Sequence, residues 1–360
     1  MLRRIYGTIL THQSNLIVLP GFLTSTRNFL TMTKLVKIGT HDGCFHCDEA
    51  LAYFMLKILP QYKHAIVVRT RDPTILDTCD IVIDVGGEYN PSKHRYDHHM
   101  RDFKESLSTV IKKPGYDSQI KLSSAGLIYC HFGHEIIKQL APEASEIDVE
   151  KIFKKVYDTF IKEIDGIDNG IPMYDGEPAY RIVTDLSARV QFLNPTWNSE
   201  NIDIDEQFLK AVELTGEEFK QHINYAKNVW LPARSIVEES INKRFEVDPS
   251  GEIIELTQSV PWSEHLFAIE KEMNLEPKLK YLIFKDDTYR IRGVPVAHGS
   301  FVCRIFLPEA WAGLRDEELE RTCGIEGAIF VHSVRFIGGH KTREGALMMA
   351  RKAIEIGKST

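Results

Sequence analysis

Apolar and polar positions from residue 35 onward alternate between two periods, which predicts alternating strands and helices. Short apolar runs over 35–40, 65–69 and 81–85 have the length and the turn boundaries of buried strands. Between the first two runs, apolar residues recur at helical spacing and predict a helix over 48–59. Because strands that alternate with helices form parallel sheets, we expect an α/β fold with a mostly parallel sheet here.

Helical patterns then dominate until the spacing changes again near residue 280. Helices are predicted over 124–140 and 149–164, and an amphipathic stretch over 206–245 predicts a long helical connection. The last part has strand-like runs followed by a helix, at 280–285, 289–294, 301–306, 328–332 and 342–356. We expect two α/β domains, the second smaller, divided as follows: an N-terminal segment 1–33, a first domain 34–200, a helical connection 201–245 and a second domain 246–360.

Composition and charge narrow the class of protein. The 360 residues are 43% hydrophobic and 26% charged, which is ordinary for a soluble globular protein, and no apolar run approaches the roughly 18 residues of a membrane span. A formal net charge of −7 argues against broad, sequence-independent binding of nucleic acid, but it is compatible with local recognition of a strand end. The six scattered cysteines do not resemble a secreted disulfide framework, so a reducing compartment fits better.

The N-terminal segment differs from the rest of the chain. The first 41 residues of the chain contain no Asp or Glu but carry arginines, lysines and many hydroxyl side chains, which is typical of mitochondrial transit peptides. A disordered tail is the alternative. Met32, just before the first strand, could serve as a second start that omits the segment, so dual localisation is a further hypothesis.

Acidic and imidazole side chains cluster where the predicted strands end. The clusters follow in this order along the chain: His41, His46 and Asp48; then Asp84; then Asp97, His98 and His99. Because side chains at the carboxyl ends of neighbouring strands share one crevice, we expect these groups to converge on metal ions. A buried carboxylate such as that of Asp84 is costly without a cation, and Asp97 is placed to orient an imidazole.

Two further pairs carry candidate chemistry. Asp165 and Asp168 share a face near the end of a predicted helix, where acidic side chains oppose the helix dipole; a metal would compensate, and a solvated turn is the alternative. Cys44 and Cys47 form a C-x-x-C pair, which is also found in zinc sites and redox pairs. Because the chain has no second such pair, we expect these cysteines to pack beside the metal ligands.

A glycine pair precedes the last predicted helix, in the sequence Gly338-Gly339-His340-Lys341-Thr342-Arg343. Backbone N–H groups at a helix N-terminus, with glycines that allow close approach, form phosphate sites. With basic side chains beside them, we expect phosphate recognition here; a plain turn is the alternative.

These motifs, in this order, resemble the DHH phosphoesterase superfamily and, more closely, the melanocyte-proliferating-gene (MYG) exonuclease family. The resemblance runs from about residue 35 to residue 355. The segments that carry it are Gly39–Ala50, Arg69–Asp72, Asp84–Glu88, Lys121–Tyr129, Asp165–Gly170, Asn194–Asn198, Trp230–Arg234 and Phe336–Gly345.

The resemblance implies a 3′-to-5′ RNA exonuclease of the mitochondrial matrix and of the nucleus and nucleolus, with a cytoplasmic form if translation starts at Met32. It implies an active site in the cleft between a DHH-type catalytic domain and a second, substrate-binding domain. One departure matters: His46 stands where much of the superfamily has an aspartate, so the metal preference of distant relatives is a poor guide.

The resemblance also implies a ligand set for two divalent ions, Mn²⁺ or Mg²⁺. The first ion would be held by His41, His46 and Asp84, and the second by Asp48, Asp84, His98 and either Asp168 or Asp165. Asp84 would bridge the two ions and His99 would contact the scissile phosphate. The residues that would hold the substrate are Gly338, Gly339, His340 and Arg343.

We therefore expect phosphodiester hydrolysis by two metal ions, with Asp84, Asp97 and His99 as the catalytic side chains and the 3′ end of RNA as the partner. Two alternatives stand beside this hypothesis. One is a phosphoesterase of small molecules such as a dinucleotide or pyrophosphate, which the acidic net charge would suit. The other is a metal-binding scaffold without activity. No membrane partner is expected, and the sequence leaves the oligomeric state open.

Overall fold

The computed structural model describes residues 35–359, so the predicted transit segment 1–33 lies outside the described residues. The described chain contains two five-stranded sheets together with helices. The predicted α/β class is therefore confirmed. No helix in this part of the chain is long and apolar enough to cross a membrane.

The first sheet is mostly parallel, as predicted. Its strands are β1 (Lys37–Thr40), β2 (Ile66–Arg69), β3 (Ile81–Ile83), β4 (Tyr89–Asn90) and β5 (Arg95–Tyr96). They lie in the order β2-β1-β3-β5-β4, and every pairing is parallel except that of β4 with β5. The strand predictions over 35–40, 65–69 and 81–85 are confirmed, with ends that differ by one or two residues.

Helices pack on this sheet. They are α1 (Cys47–Ile58), α2 (Pro73–Leu76), α3 (Leu107–Ile111), α4 (Ser124–Leu140), α5 (Glu146–Val156), α6 (Lys162–Asp168) and α7 (Leu186–Gln191). A π-helical turn, Tyr157–Ile161, joins α5 and α6 into one continuous helix. Leu51 and Met55 of α1 and Ile128 of α4 lie fully buried in a core with Ile38 and Ile83, because the apolar residues of α1 recur at helical spacing.

A long helical stretch follows, close to the predicted connection over 206–245. It consists of α8 (Ile204–Tyr225), a π-helical turn (Ala226–Trp230), α9 (Leu231–Asn242) and α10 (Arg244–Val247). Asp203 begins this stretch, since its carboxylate accepts hydrogen bonds from the backbone N–H groups of Asp205 and Glu206.

The second sheet has mixed pairing. Its strands are β6 (Ile253–Leu256), β7 (Tyr281–Lys285), β8 (Tyr289–Gly293), β9 (Ala328–Val331) and β10 (Ile337–His340). Their order is β6-β7-β8-β10-β9; β6 and β7 are parallel, and the other pairs are antiparallel. The remaining helices are α11 (Ser263–Glu272), α12 (Asp316–Cys323) and α13 (Arg343–Ser359). One apolar core packs α13 against Ile283 and Ile291.

The strand predicted over 301–306 is wrong. This segment forms a single bridge, between Cys303 and Pro295. Phe301 and Val302 are 71% and 55% exposed, and only the later part of the run contacts a core, through Ile305. The start of the run therefore lacks the burial that stabilises a strand.

Candidate metal centre

The order of strands in the first sheet brings the acidic and imidazole clusters to one edge. β1 pairs with β3 and β3 with β5, all parallel, so the residues that follow these strands emerge side by side. His41 follows β1, Asp84 follows β3, and Asp97 follows β5. The N-terminus of α1, which brings three more side chains, follows the β1 loop directly.

The first group of ligand atoms surrounds His41. Its Nε2 lies 3.2 Å from Glu49 Oε1 and 3.2 Å from Asp84 Oδ2. His46 completes the group, with all four potential ligand atoms within 4.8 Å of one another. Burial lowers the pKa of His41, but hydrogen bonds with Asp84 and Glu49 outweigh this effect and raise it to about 10.

Asp84 lies at the junction of the groups. Besides contacting His41, it places Oδ1 3.0 Å from His98 Nε2, and it is 3% exposed. Burial alone would raise the pKa of Asp84, yet the hydrogen bonds with His41 and His98 hold it well below its usual range. Its backbone has φ 61°, a left-handed conformation that aspartate tolerates better than most residues. The strained turn directs this carboxylate between two imidazoles.

A further group is centred on His98. Its Nε2 lies 3.3 Å from Asp168 Oδ2 and 3.9 Å from Asp48 Oδ2. Asp48 is fixed by Ser124, whose backbone N–H and hydroxyl both donate to Asp48 Oδ2 at 3.2 and 2.7 Å. His99 forms a group with Asp84 and His98, so Asp84 and His98 each belong to two groups.

Four carboxyl groups crowd together in the ligand groups of the centre. Burial, followed by the charges of Asp48 and Asp84, raises the pKa of Asp168 to about 10, and burial raises that of Glu49 to about 8. Three buried atoms, Asp48 Oδ1, Glu49 Oε2 and His98 Nδ1, have no hydrogen-bond partner within the described residues. Buried carboxylate oxygens without a hydrogen bond are costly, and divalent cations would satisfy those of Asp48 and Glu49. The residues therefore fit a metal centre.

Asp97 holds His99 and its own loop in place. Its Oδ1 accepts hydrogen bonds from the backbone N–H groups of His98 and His99 and lies 2.7 Å from His99 Nδ1. Its Oδ2 accepts from the N–H of Gly87 at 2.6 Å. The His99 side chain remains 62% exposed, so an oriented imidazole stands at the rim of the centre. The hydrogen bond that His99 Nδ1 donates to Asp97 raises the pKa of His99.

An open cavity of about 480 Å³ lies over the centre. It is lined by His46, Asp48, His99 and Asp168 on the metal side and by Asp185 and Gln191 elsewhere, and all its lining residues fall between positions 46 and 191. Cys47 also lines this cavity beside the ligands, whereas Cys44 is exposed, and both thiols are free.

The structure separates the two acids of α6. Asp168 joins the His98 group, whereas Asp165 turns to Ser123, whose backbone N–H and hydroxyl donate to its Oδ1 at 2.9 and 2.8 Å. Burial raises the pKa of Asp165 to about 7. Asp165 therefore lies outside the ligand groups of the described residues, and it anchors the start of α4 instead.

Truncation of these two acids is expected to have opposite effects. Asp165→Ala removes two hydrogen bonds to Ser123 and should lower the free energy of unfolding by about 1–3 kcal/mol. Asp168→Ala removes a carboxyl group whose pKa is raised by burial and by the charges of Asp48 and Asp84, so the metal-free protein should be as stable as the wild type or more so. Its affinity for Mn²⁺ should instead fall at least about ten-fold. Thermal unfolding in EDTA measures the two stabilities, and calorimetric titration with Mn²⁺ measures the two affinities. An equal Mn²⁺ affinity in the two variants would contradict the assignment of Asp168, and not Asp165, as the ligand.

The glycine pair Gly338-Gly339 does not lie in a loop, as the predicted phosphate cradle assumes, and a role of this pair in substrate binding stays a prediction. Gly338 and Gly339 lie inside β10, between β8 and β9, and not in a loop. His340 is 2% exposed; its Nδ1 accepts from the N–H of Thr342 at 2.9 Å, and its Nε2 lies 2.9 Å from the Glu326 carbonyl oxygen. The glycines are needed for packing, since a Cβ on Gly339 would lie 2.6 Å from the Phe330 ring.

Arg343, the last residue predicted to hold substrate, begins α13 and is held by an acid of β6. Its Nε and Nη2 atoms donate to Glu255 Oε2 at 2.8 and 2.7 Å. The guanidinium that the sequence predicts to bind phosphate is therefore engaged in an ion pair with Glu255.

Sequence reasoning missed Glu49 and the two serines before α4. Glu49 belongs to the His41 group although its neighbour Asp48 belongs to the His98 group. Adjacent helical residues project about 100° apart, so two consecutive acids can serve different ions. The signal available in the sequence was the pair of consecutive acids, Asp48 and Glu49, at the start of the helix predicted over 48–59. Ser123 and Ser124 stand at the start of the predicted helix over 124–140, but their hydrogen bonds to Asp165 and Asp48 could not be inferred from spacing.

Comparison with known proteins gives one consistent result. A family model described as "Uncharacterised protein family (UPF0160)" and labelled MYG1 exonuclease matches residues 37–354. The chain is 51% identical to the MYG1 exonuclease of Rattus norvegicus over 323 residues, which cover 88% of this chain and 84% of the relative. It is 48% identical to a MYG1 protein of Caenorhabditis elegans, over 91% and 97% of the two chains, and 38% identical to one of Saccharomyces cerevisiae, over 92% and 100%. With matches of this extent, the chain belongs to the MYG1 exonuclease family.

Proposed function

We propose that the chain is a metal-dependent nuclease that removes nucleotides from the 3′ end of RNA. The observation that carries the proposal is the position of Asp84, which contacts both His41 and His98 and so belongs to two neighbouring ligand groups. A carboxylate shared between adjacent cations is the arrangement of two-metal phosphoesterases. Relatives named MYG1 exonuclease support a nuclease-type activity.

Two divalent ions would occupy the centre. His41, His46, Glu49 and Asp84 would hold one ion; Asp48, His98 and Asp168 would hold the other, with Asp84 between them. Mixed imidazole and carboxylate donors suit Mn²⁺ better than Mg²⁺, which prefers oxygen. Bound ions supply an activated water and neutralise the charge that develops on the phosphate.

The protein groups around the ions position the substrate. Asp97 holds His99 in one orientation at the rim of the cavity, where its imidazole would contact the scissile phosphate. Ser187 and Gln191 of α7, and Asp185 directly before this helix, line another part of the cavity. The role of residues 246–360 as a substrate-binding domain that closes over this cavity, and the kinship with the DHH superfamily, belong to the same proposal.

Labelled substrates test the activity and its direction. With Mn²⁺, RNA labelled at its 5′ end should give a ladder that shortens one nucleotide at a time, and RNA labelled at its 3′ end should release labelled mononucleotide at once. DNA of the same sequence serves as the comparison substrate. Hydrolysis confined to dinucleotides would favour the small-molecule phosphoesterase, and Mn²⁺ binding without any hydrolysis would favour the scaffold.

We also propose a mitochondrial and nuclear location, which rests on the acid-free N-terminus. A fluorescent protein fused after the full chain should enter mitochondria, whereas the same fusion started at Met32 should not. Identical images from both fusions would refute a transit function.

A further inference from the structure

A groove on the C-terminal half of the chain combines aromatic rings with a cation. One cavity of about 230 Å³ is lined by Trp262, Arg292, His298, Phe301 and Phe336, among others. A second cavity of about 230 Å³ shares Trp262, Arg292 and His298 with the first. The two cavities therefore adjoin each other, and together they are called the groove; it reaches Lys155, Tyr225 and Trp230 at its far end.

The aromatic rings of the groove are available for contact. Phe301 is 71% exposed and meets Phe336 edge-on, with ring centroids 6.1 Å apart. His332 lies against the same Phe336 ring at 4.8 Å. An exposed phenylalanine alone needs no explanation, but an exposed ring at the mouth of a groove next to a guanidinium is a surface on which planar groups stack.

Arg292 is the cation of the groove, and it lacks a counter-charge. Its guanidinium lies 5.0 Å from the Phe336 ring centroid, and within the described residues it has no carboxylate partner. Two other arginines of the C-terminal half are paired, Arg304 with Glu270 and Arg343 with Glu255. At the far end, Lys155 and the Trp230 indole share Glu264, which neutralises that acid. The groove therefore offers one free positive charge amid aromatic rings.

The groove and the metal centre lie along one helix. Lys155, at the groove, belongs to α5, and the same continuous helix ends with the ligand Asp168 in α6. The separation of these residues along the helix corresponds to a rise of about 20 Å. A dinucleotide cannot span this distance, whereas a strand of several nucleotides can.

We propose that this groove binds single-stranded RNA upstream of its 3′ end, with bases stacked on Phe301, Phe336 and Trp262 and a phosphate on Arg292. Aromatic platforms beside an unpaired cation bind single strands without reading sequence. The site rests on the proposed nuclease function and extends it: the enzyme gains affinity for long RNA despite its acidic net charge of −7. The C-terminal half thus distinguishes RNA chains from short fragments.

Binding without hydrolysis tests the site directly. Fluorescence anisotropy of an unstructured RNA of about 20 nucleotides in EDTA, with Phe301→Ala and Arg292→Gln, should show Kd raised at least about five-fold. Arg292→Gln should also reduce the slope of log Kd against log salt by about 0.7, whereas Phe301→Ala should leave it unchanged. Arg321→Gln, which removes an exposed arginine of α12 outside the groove, is the matched control and should bind as the wild type does.

Hydrolysis separates this proposal from the proposed function. The ratio of kcat/KM for long RNA to kcat/KM for a dinucleotide should fall at least about five-fold in both groove variants; a general folding defect would lower both values and leave the ratio intact. If the wild type degrades RNA and the ratio and Kd stay at wild-type values in both variants, the groove is not an RNA site although the nuclease function stands. If the wild type hydrolyses no RNA, the nuclease function fails and the anisotropy still decides the groove.

Discussion

Asp84→Asn is expected to abolish metal-dependent hydrolysis, with kcat/KM reduced at least about a thousand-fold. The substitution removes the negative charge that contacts both His41 and His98, so the two ligand groups lose their shared member. Asparagine has the same size and also tolerates the left-handed backbone at φ 61°. The loss would therefore arise from the charge and not from strain in the turn, which Asp84→Ala would add.

A second left-handed aspartate provides the control. Asp316 has φ 45° at the start of α12, far along the chain from the ligand groups, and Asp316→Asn should retain wild-type activity. Calorimetric titration with Mn²⁺ should show weaker binding for Asp84→Asn than for Asp316→Asn, while circular dichroism of both matches the wild type. Full hydrolysis by Asp84→Asn would refute the metal centre as assigned here.

The grouping of candidate ligands at the edge of the first sheet could be predicted, because it depends only on which residue directly follows each strand. Each of β1, β3 and β5 is followed at once by an acid or imidazole residue, and parallel strands bring such residues together whatever their separation in sequence. Alternating α/β patterns therefore sufficed to place His41, Asp84 and His98 in one crevice. Neither the turn at Asp84 with its positive φ nor the π-helical turn before α6 leaves a comparable pattern in the sequence.

The sequence did not predict which of the two acids of α6 belongs to the metal centre. The spacing of Asp165 and Asp168 puts both on one face of the helix. Asp165 nevertheless accepts hydrogen bonds from Ser123, because α4 begins beside Asp165. Gly126 makes room for that contact, since a Cβ there would lie 2.2 Å from Asp165 Oδ1. Which acid reaches a metal depends on such tertiary contacts, and these connect residues about forty positions apart in sequence.

The second sheet shows the limit of motif reasoning. A glycine pair before a helix is typical of a phosphate loop, but glycine is also needed wherever a large ring crosses a strand. Phe330 lies over Gly339, and both glycines pair with β8 and β9. The same residue type thus has two physical explanations, and packing across the sheet decides between them.

Gly345→Ala is expected to lower the free energy of unfolding by about 3 kcal/mol. A Cβ on Gly345 would lie 1.8 Å from a ring carbon of His340 and 2.1 Å from its Nε2. The imidazole would have to move, and its contacts with Thr342 and the Glu326 carbonyl would break. The contact with Thr342 joins the end of β10 to the start of α13, and the contact with Glu326 joins it to the loop before β9. The second sheet would therefore lose packing against its last helix and at the start of β9. Urea unfolding of the metal-free protein measures the change.

Gly166→Ala is the matched control, because Gly166 also lies in a helix but a Cβ there would meet nothing within 4 Å. Alanine in an open helical position should stabilise the protein by about 0.5–1 kcal/mol, since it restricts the unfolded chain. The two glycine substitutions should therefore have opposite signs. If Gly345→Ala unfolded at the same urea concentration as the wild type, His340 would be free to leave its buried position, and its role as a structural link between β10 and α13 would be wrong.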